Sequence, residues 1–221
     1  MSFIELESED GHRLAAHRAM PDQAPRGGLV VIQEIFGVNA HIRGVTDRFA
    51  GEGYLAIAPA LFDRVERGVE LGYDGEGILR GRDIVGKLSY DDVLRDLGAA
   101  AKEASTAGKV ATVGYCYGGA VVWVAAARLS GLACAISYYG SRIVQLTDQA
   151  PRIPVMMHVG RKDASFPIEK VRELGERYPD VAVHEYDAGH GFNCDARSDY
   201  HAPSADLALG RTLEFLRTHV G

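Results

Sequence analysis

Cysteine is scarce and odd in number, with Cys116, Cys134 and Cys194 the whole complement of a 221-residue chain. An odd set at these separations builds no disulfide framework, and free thiols fit a reducing, cytoplasmic setting. Neither the cysteines nor the histidines are spaced as metal ligands, so no metal and no other cofactor is expected. Long apolar runs are missing as well: none approaches the ~18 residues of a membrane span. Met1 to Asp10 is acidic and polar, without the basic and apolar parts of a secretory leader. A basic excess is also absent. The formal net charge is −6 and no block of Lys and Arg overrides it, so nucleic acid is not an expected partner. No repeat, low-complexity segment or linker divides the chain. No long exposed apolar stripe asks for a second copy, which favours a monomer.

What is present is an ordinary globular composition, 47% hydrophobic and 24% charged. The length suits one domain over residues 1–221 with an ample core. Short runs at 3–7 and 14–19 flank the turn signal Asp10-Gly11 and read as paired strands. Continuous apolar runs at 28–33, 54–58, 109–113, 132–138 and 154–159 read as strands buried on both faces. Val181 to Tyr186 is a further strand with looser alternation. Helical spacing is carried by Ile42, Val45 and Phe49, and by Val93, Leu94, Leu97 and Ala101. Helices are also expected over 121–129, 167–178 and 204–220, the last carrying Leu207, Leu209, Leu213 and Leu216. Residues 62–87 show no clean period and read as loop plus a short helix over the top of the sheet. Strands alternating with helices predict an α/β fold with a mostly parallel central sheet and helices on both faces.

One stretch stands out. Lys109 to Val113 is a β-branched strand that runs into Gly114-Tyr115-Cys116-Tyr117-Gly118-Gly119 and then an apolar helix. That is the layout of a nucleophile elbow, here presenting a thiol. Read alone, it also suits a buried cysteine on a strand-to-helix turn, because free cysteine is among the most buried residues. The elbow reading requires an acid and then a histidine, each on a loop leaving a later strand. Asp163 follows the 154–159 strand and His190 follows the 181–186 strand, in the required order. Asp163 alone could be a turn cap and His190 alone a surface residue; together with Cys116 they meet the logic of an active site. His12, His17, His41, His184, His201 and His219 read as solvated or structural, and His158, inside a strand, as a core residue. Cys194 reads as an incidental thiol.

These segments bring out a resemblance. Gln33-Glu34-Ile35-Phe36-Gly37-Val38-Asn39, the Cys116 elbow, Gly160-Arg161-Lys162-Asp163 and Ala188-Gly189-His190-Gly191-Phe192 together resemble the dienelactone hydrolases (carboxymethylenebutenolidases). The likeness extends over nearly the whole chain. It implies an α/β-hydrolase fold, a Cys116–His190–Asp163 triad and Glu34 as a fourth participant near the thiol. Without it, Glu34 also reads as a strand-end carboxylate paired to an arginine. Chemistry supports the roles separately. His190 can accept the thiol proton, Asp163 can hold the imidazole tautomer, and the Tyr117 and Ile35 N–H groups are candidate oxyanion donors.

The resemblance also implies arginines that hold a substrate carboxylate, one of them just after the catalytic histidine. This chain departs from that pattern, with Cys194 four residues after His190 and no arginine before Arg197. Arg80 and Arg82 in the irregular middle segment are the other candidates, although each of these arginines also reads as a solvated surface residue. Phe36, Tyr117 and Phe192 read either as an apolar wall of the pocket or as buried aromatic filler. The expected substrate is a small activated ester or enol lactone, cleaved through an acyl-cysteine. A broad carboxylesterase with the same triad is the alternative, and a thiol-based sensor or a binding protein on the same fold a more distant one.

Overall fold

The computed structural model describes residues 2–221. Strands β1 (Ser2–Glu7) and β2 (Arg13–Ala19) precede the alternating part of the chain, β3 (Gly28–Ile32), α1 (Ala40–Gly51) and β4 (Leu55–Pro59). Then come α2 (Gly75–Gly86), α3 (Tyr90–Ala104), β5 (Val110–Tyr115), α4 (Tyr117–Arg128) and β6 (Leu132–Tyr138). The chain closes with β7 (Val155–Gly160), α5 (Ile168–Arg177), β8 (Ala182–Tyr186) and α6 (Ala202–His219). The strands form one eight-stranded sheet in the order β1-β2-β4-β3-β5-β6-β7-β8. β1 and β2 pair antiparallel, as does β2 with β4, and the remaining pairs are parallel. This is the mostly parallel α/β sheet that the strand and helix pattern predicts, in the α/β-hydrolase arrangement that the resemblance implies.

The two-residue period of a strand divides the core. Leu29 and Val31 of β3 point to one face and pack with Ile42 and Phe49 of α1 and with Leu213 and Leu216 of α6. Val30 and Ile32 point to the other face and pack with Leu97 of α3 and Trp123 of α4. Every residue of β3, β4 and β5 is buried, which is why their sequences are apolar without alternation. Asn39, Asp74 and Ser89 cap α1, α2 and α3 by accepting from the N–H groups of Ile42, Gly77 and Asp92.

Two helices differ from expectation. In α6 the inward positions are Ala205, Ala208, Thr212, Leu213 and Leu216, whereas Leu207 is turned to solvent. The first half of the helix presents small residues inward, so only Leu213 and Leu216 of its leucines mark the buried face. The irregular segment at 62–87 holds a 3-10 turn, Leu61–Arg64, and the twelve-residue α2. The buried face of α2 is Gly77, Gly81, Ile84 and Val85. A Cβ on Gly81 would lie 2.0 Å from the Ile35 carbonyl oxygen, so the helix can rest on that loop only with glycine there. Among the described residues, no helix is long and apolar enough to cross a membrane.

Candidate active site

β3, β5, β7 and β8 end on the same edge of the sheet, and the loops leaving them carry Glu34, Cys116, Asp163 and His190. Ligands of parallel sheets bind beyond these carboxyl ends. Cys116 joins β5 to α4 with φ 54 and ψ −112, a conformation that L-residues rarely adopt. Such backbone costs on the order of 1–3 kcal/mol and persists only where its surroundings enforce it. Here the Cys116 N–H donates to the Tyr138 carbonyl at 3.0 Å, and the Gly119 N–H donates to the Cys116 carbonyl at 3.0 Å. The glycines of the motif permit the approach. A Cβ on Gly114 would meet the Gly118 carbonyl oxygen at 2.0 Å, and one on Gly118 would meet that of Ile32 at 2.5 Å.

Cys116, His190 and Asp163 meet in one line of contacts. His190 Nε2 lies 3.2 Å from Cys116 Sγ, and His190 Nδ1 lies 2.6 Å from Asp163 Oδ2. The Asp163 side chain is fully buried, and its other oxygen accepts from the Ser165 N–H at 2.8 Å. Burial alone would disfavour the imidazolium of His190. Its hydrogen bonds to Asp163 and Cys116 outweigh that, and its pKa is pushed up to about 10. An imidazole bridging a thiol and a buried carboxylate is an arrangement that activates a nucleophile. Tyr117 opens α4, so its N–H has no acceptor within the helix and is available at the elbow.

Glu34 is completely buried, and neither carboxylate oxygen closes a hydrogen bond. Burial pushes its pKa up, and the charges of Arg197, His41 and His190 draw it part of the way back. Arg197 Nη1 stands 3.7 Å from Glu34 Oε1 and its guanidinium lies 5.9 Å over the Phe36 ring. The other neighbours come from distant segments. A ring nitrogen of His41 and the Cys194 thiol fall within 4.8 Å of the Glu34 carboxylate and of each other. The Tyr73 hydroxyl, from the loop just before α2, faces the Glu34 carboxylate and the Cys194 thiol in the same group. Sequence reasoning missed Tyr73, His41 and Tyr139, whose buried hydroxyl has no partner. The left-handed φ of 39° at Tyr139, set by the β6 exit, turns its ring edge-on to His190 at 5.2 Å.

The remaining candidates divide. Arg197 joins the Glu34 surroundings. Arg80 is turned to solvent and paired with Glu66 and Asp83, and Arg82 beside it is exposed. Phe36 and Phe192, candidates for the pocket wall, are 1% and 0% exposed and offer almost no surface to a ligand. Phe36 packs against Tyr73, and Phe192 among Tyr138, Tyr139 and Tyr186. Burying large rings there is worth more than leaving them at a wet site. His158 is a core residue as expected, its ring nitrogens 2.7 Å from the Tyr186 hydroxyl and 2.9 Å from that of Thr212.

A family model described as the dienelactone hydrolase family matches residues 14–220. The chain belongs to that family. A carboxymethylenebutenolidase of Pseudomonas putida is 34% identical over 227 residues, covering 96% of this chain and 94% of the relative. One from Pseudomonas knackmussii matches to the same extent. Among solved structures, a Klebsiella pneumoniae protein provisionally described as a dienelactone hydrolase superposes with a TM-score of 0.84 at 31% identity. That match covers 97% of this chain and 98% of the other. This dienelactone hydrolase family member is thus a hydrolase of the carboxylic-ester class, with Cys116, His190 and Asp163 in contact at the expected edge of its sheet.

Proposed function

We propose that the protein hydrolyses small activated esters or enol lactones of the dienelactone type through an acyl-cysteine at Cys116. The observation that carries this reading is the continuous contact from Cys116 Sγ through His190 to Asp163, at 3.2 and 2.6 Å. The thiolate attacks the carbonyl carbon, and the oxyanion receives hydrogen bonds from the Tyr117 and Ile35 N–H groups. The C–O bond breaks and protonated His190 gives its proton to the departing oxygen. Neutral His190 then takes a proton from water as the water attacks the thioester, and the thiolate leaves beside the imidazolium.

Glu34 supplies the thiolate in the first place. Asp163 holds the His190 imidazole towards its protonated form, which makes it a poor acceptor for the thiol proton. A carboxylate made more basic by burial can accept it, once substrate draws Arg197 away from that carboxylate. The nucleophile also restricts the substrate. A thiolate, whose conjugate acid has a pKa of about 8.5, departs more readily than an alkoxide, so the adduct of a plain alkyl ester tends to revert. An enol lactone releases a stabilised enolate, which competes. Arg197 is the favoured anchor for a substrate carboxylate, because its partner in the resting enzyme is itself a carboxylate.

A broader carboxylesterase is the second reading. Its support is the engagement of Arg80 with Glu66 and Asp83, which leaves one candidate arginine beside Glu34 where a carboxylate clamp uses more. A panel of dienelactones, saturated lactones and aryl esters, run on wild type and Cys116→Ala, separates the two. Preference for the dienelactones supports the first reading; equal rates on neutral aryl esters support the second. Hydrolysis by Cys116→Ala would sink both.

A further inference from the structure

The polar group around Glu34 has donors that Glu34's part in hydrolysis does not use. His41 has a side chain only 7% exposed; its Nδ1 faces Asp195 Oδ1 at 3.3 Å, while its Nε2 is buried without a partner. Cys194 is fully buried and not in a disulfide. Glu34 brings two fully buried carboxylate oxygens that close no well-formed hydrogen bond, with the Tyr73 hydroxyl and the Arg197 guanidinium as their neighbours. One carboxylate oxygen, one imidazole nitrogen and one thiol sulfur lie within 4.8 Å of one another. Buried carboxylate and imidazole atoms without well-formed partners are costly, and three unlike donors converging on one point are what a metal ion satisfies.

We propose that Glu34, His41 and Cys194 bind a zinc-like divalent cation, and that occupancy of this site switches hydrolysis off. The donor set selects the ion. A thiolate with an imidazole disfavours calcium and magnesium, which take oxygen ligands, and suits Zn2+. Bonds of about 2.0–2.3 Å bring tetrahedral ligands to roughly 3.3–3.6 Å apart, so the set closes through side-chain rotations of about an ångström. Asp195 on His41 Nδ1 supplies the outer carboxylate that commonly orients a metal-bound imidazole. On binding, the Cys194 S–H proton leaves to solvent and the sulfur takes the ion, with no change of oxidation state. Arg197 is the competitor, because it faces the same carboxylate at 3.7 Å and must turn aside. Inhibition rests on the proton-accepting role proposed for Glu34; binding does not.

Cobalt(II) is the probe, since a cobalt–thiolate bond gives a charge-transfer band. Wild type and Cys116→Ala should both show the band and lose it to excess zinc, and Cys194→Ser should lack it. Asp195→Asn, at an exposed position that does not threaten folding, should weaken cobalt binding roughly tenfold or more. Arg197→Ala should tighten it. Zinc that saturates wild type should abolish aryl-ester hydrolysis there and leave the rate of Cys194→Ser unchanged. A band that survives in Cys194→Ser but vanishes in Cys116→Ala overturns the site, because the ion would then sit on the nucleophile. No band in wild type, or Asp195→Asn binding as wild type, also overturns it. Binding through Cys194 with hydrolysis untouched overturns the inhibition and, separately, the part given to Glu34.

Discussion

Arg197 holds its guanidinium 3.7 Å from the fully buried carboxylate of Glu34, a pairing too long for a hydrogen bond. The separation gives charge compensation without locking either group. An incoming carboxylate can therefore compete for the arginine at small cost. Arg197→Ala should lower kcat/KM for a carboxylate-bearing lactone and spare a neutral aryl ester. A charge-assisted hydrogen bond contributes about 1.5–3 kcal/mol, so the loss should be roughly 10-fold to 150-fold, mostly in KM. Equal losses on both substrates would assign Arg197 to the setting of Glu34 instead.

His190 carries the pH dependence. Its pKa stands at about 10 in the folded protein against an ordinary 6.5. The stability it contributes is fully present below about 6.5 and is lost as pH rises through about 10. Activity on esters with poor leaving groups should follow the same limb, because the proton they need is the one His190 loses. In Asp163→Asn the strongest hydrogen bond that raises the pKa is weakened, so the limb should move to lower pH. Profiles of kcat/KM and thermal midpoints against pH, taken for both proteins, check this. A limb near 6.5 in wild type would contradict it.

Gly81 ties α2 to the Ile35 loop, which the proposed mechanism uses as an oxyanion donor. Gly81→Ala places a methyl group 2.0 Å from the Ile35 carbonyl oxygen and must lift the helix or shift the loop. Overpacking of this kind costs typically ~1–3 kcal/mol, and moving the Ile35 N–H should lower kcat more than it raises KM. Gly86→Ala is the control: nothing lies within 4 Å of its Cβ, and it should be neutral or stabilising by under ~1 kcal/mol. Chemical denaturation and steady-state kinetics on the two variants give the comparison.

These residues also mark what was legible in the chain before its fold was known. Continuous apolar runs sufficed for the buried strands, because a strand covered on both faces has no polar side to show. The order Cys116, Asp163, His190 was readable because each follows a strand whose end the topology brings to one edge. α2 was not readable as a helix of that length. Its buried face is half glycine, and a period counted in apolar residues passes over it. The surroundings of Glu34 were hidden for another reason. Tyr73, His41, Cys194 and Arg197 come from separate loops, and no local spacing records that they meet. Phe36 and Phe192 could not be assigned to pocket or core from the chain alone, because an aromatic ring beside a catalytic motif has the same sequence signature in either place.

The central claim is a covalent bond between substrate and Cys116, and trapping that bond tests it most directly. The enzyme is mixed with an aryl ester, quenched in acid within one turnover, digested and weighed by mass spectrometry. The peptide containing Cys116 should gain the mass of the acyl group, the gain should decay with time, and Cys116→Ala should show neither adduct nor turnover. An acyl group on another residue, or turnover by Cys116→Ala at the wild-type rate, would contradict the account.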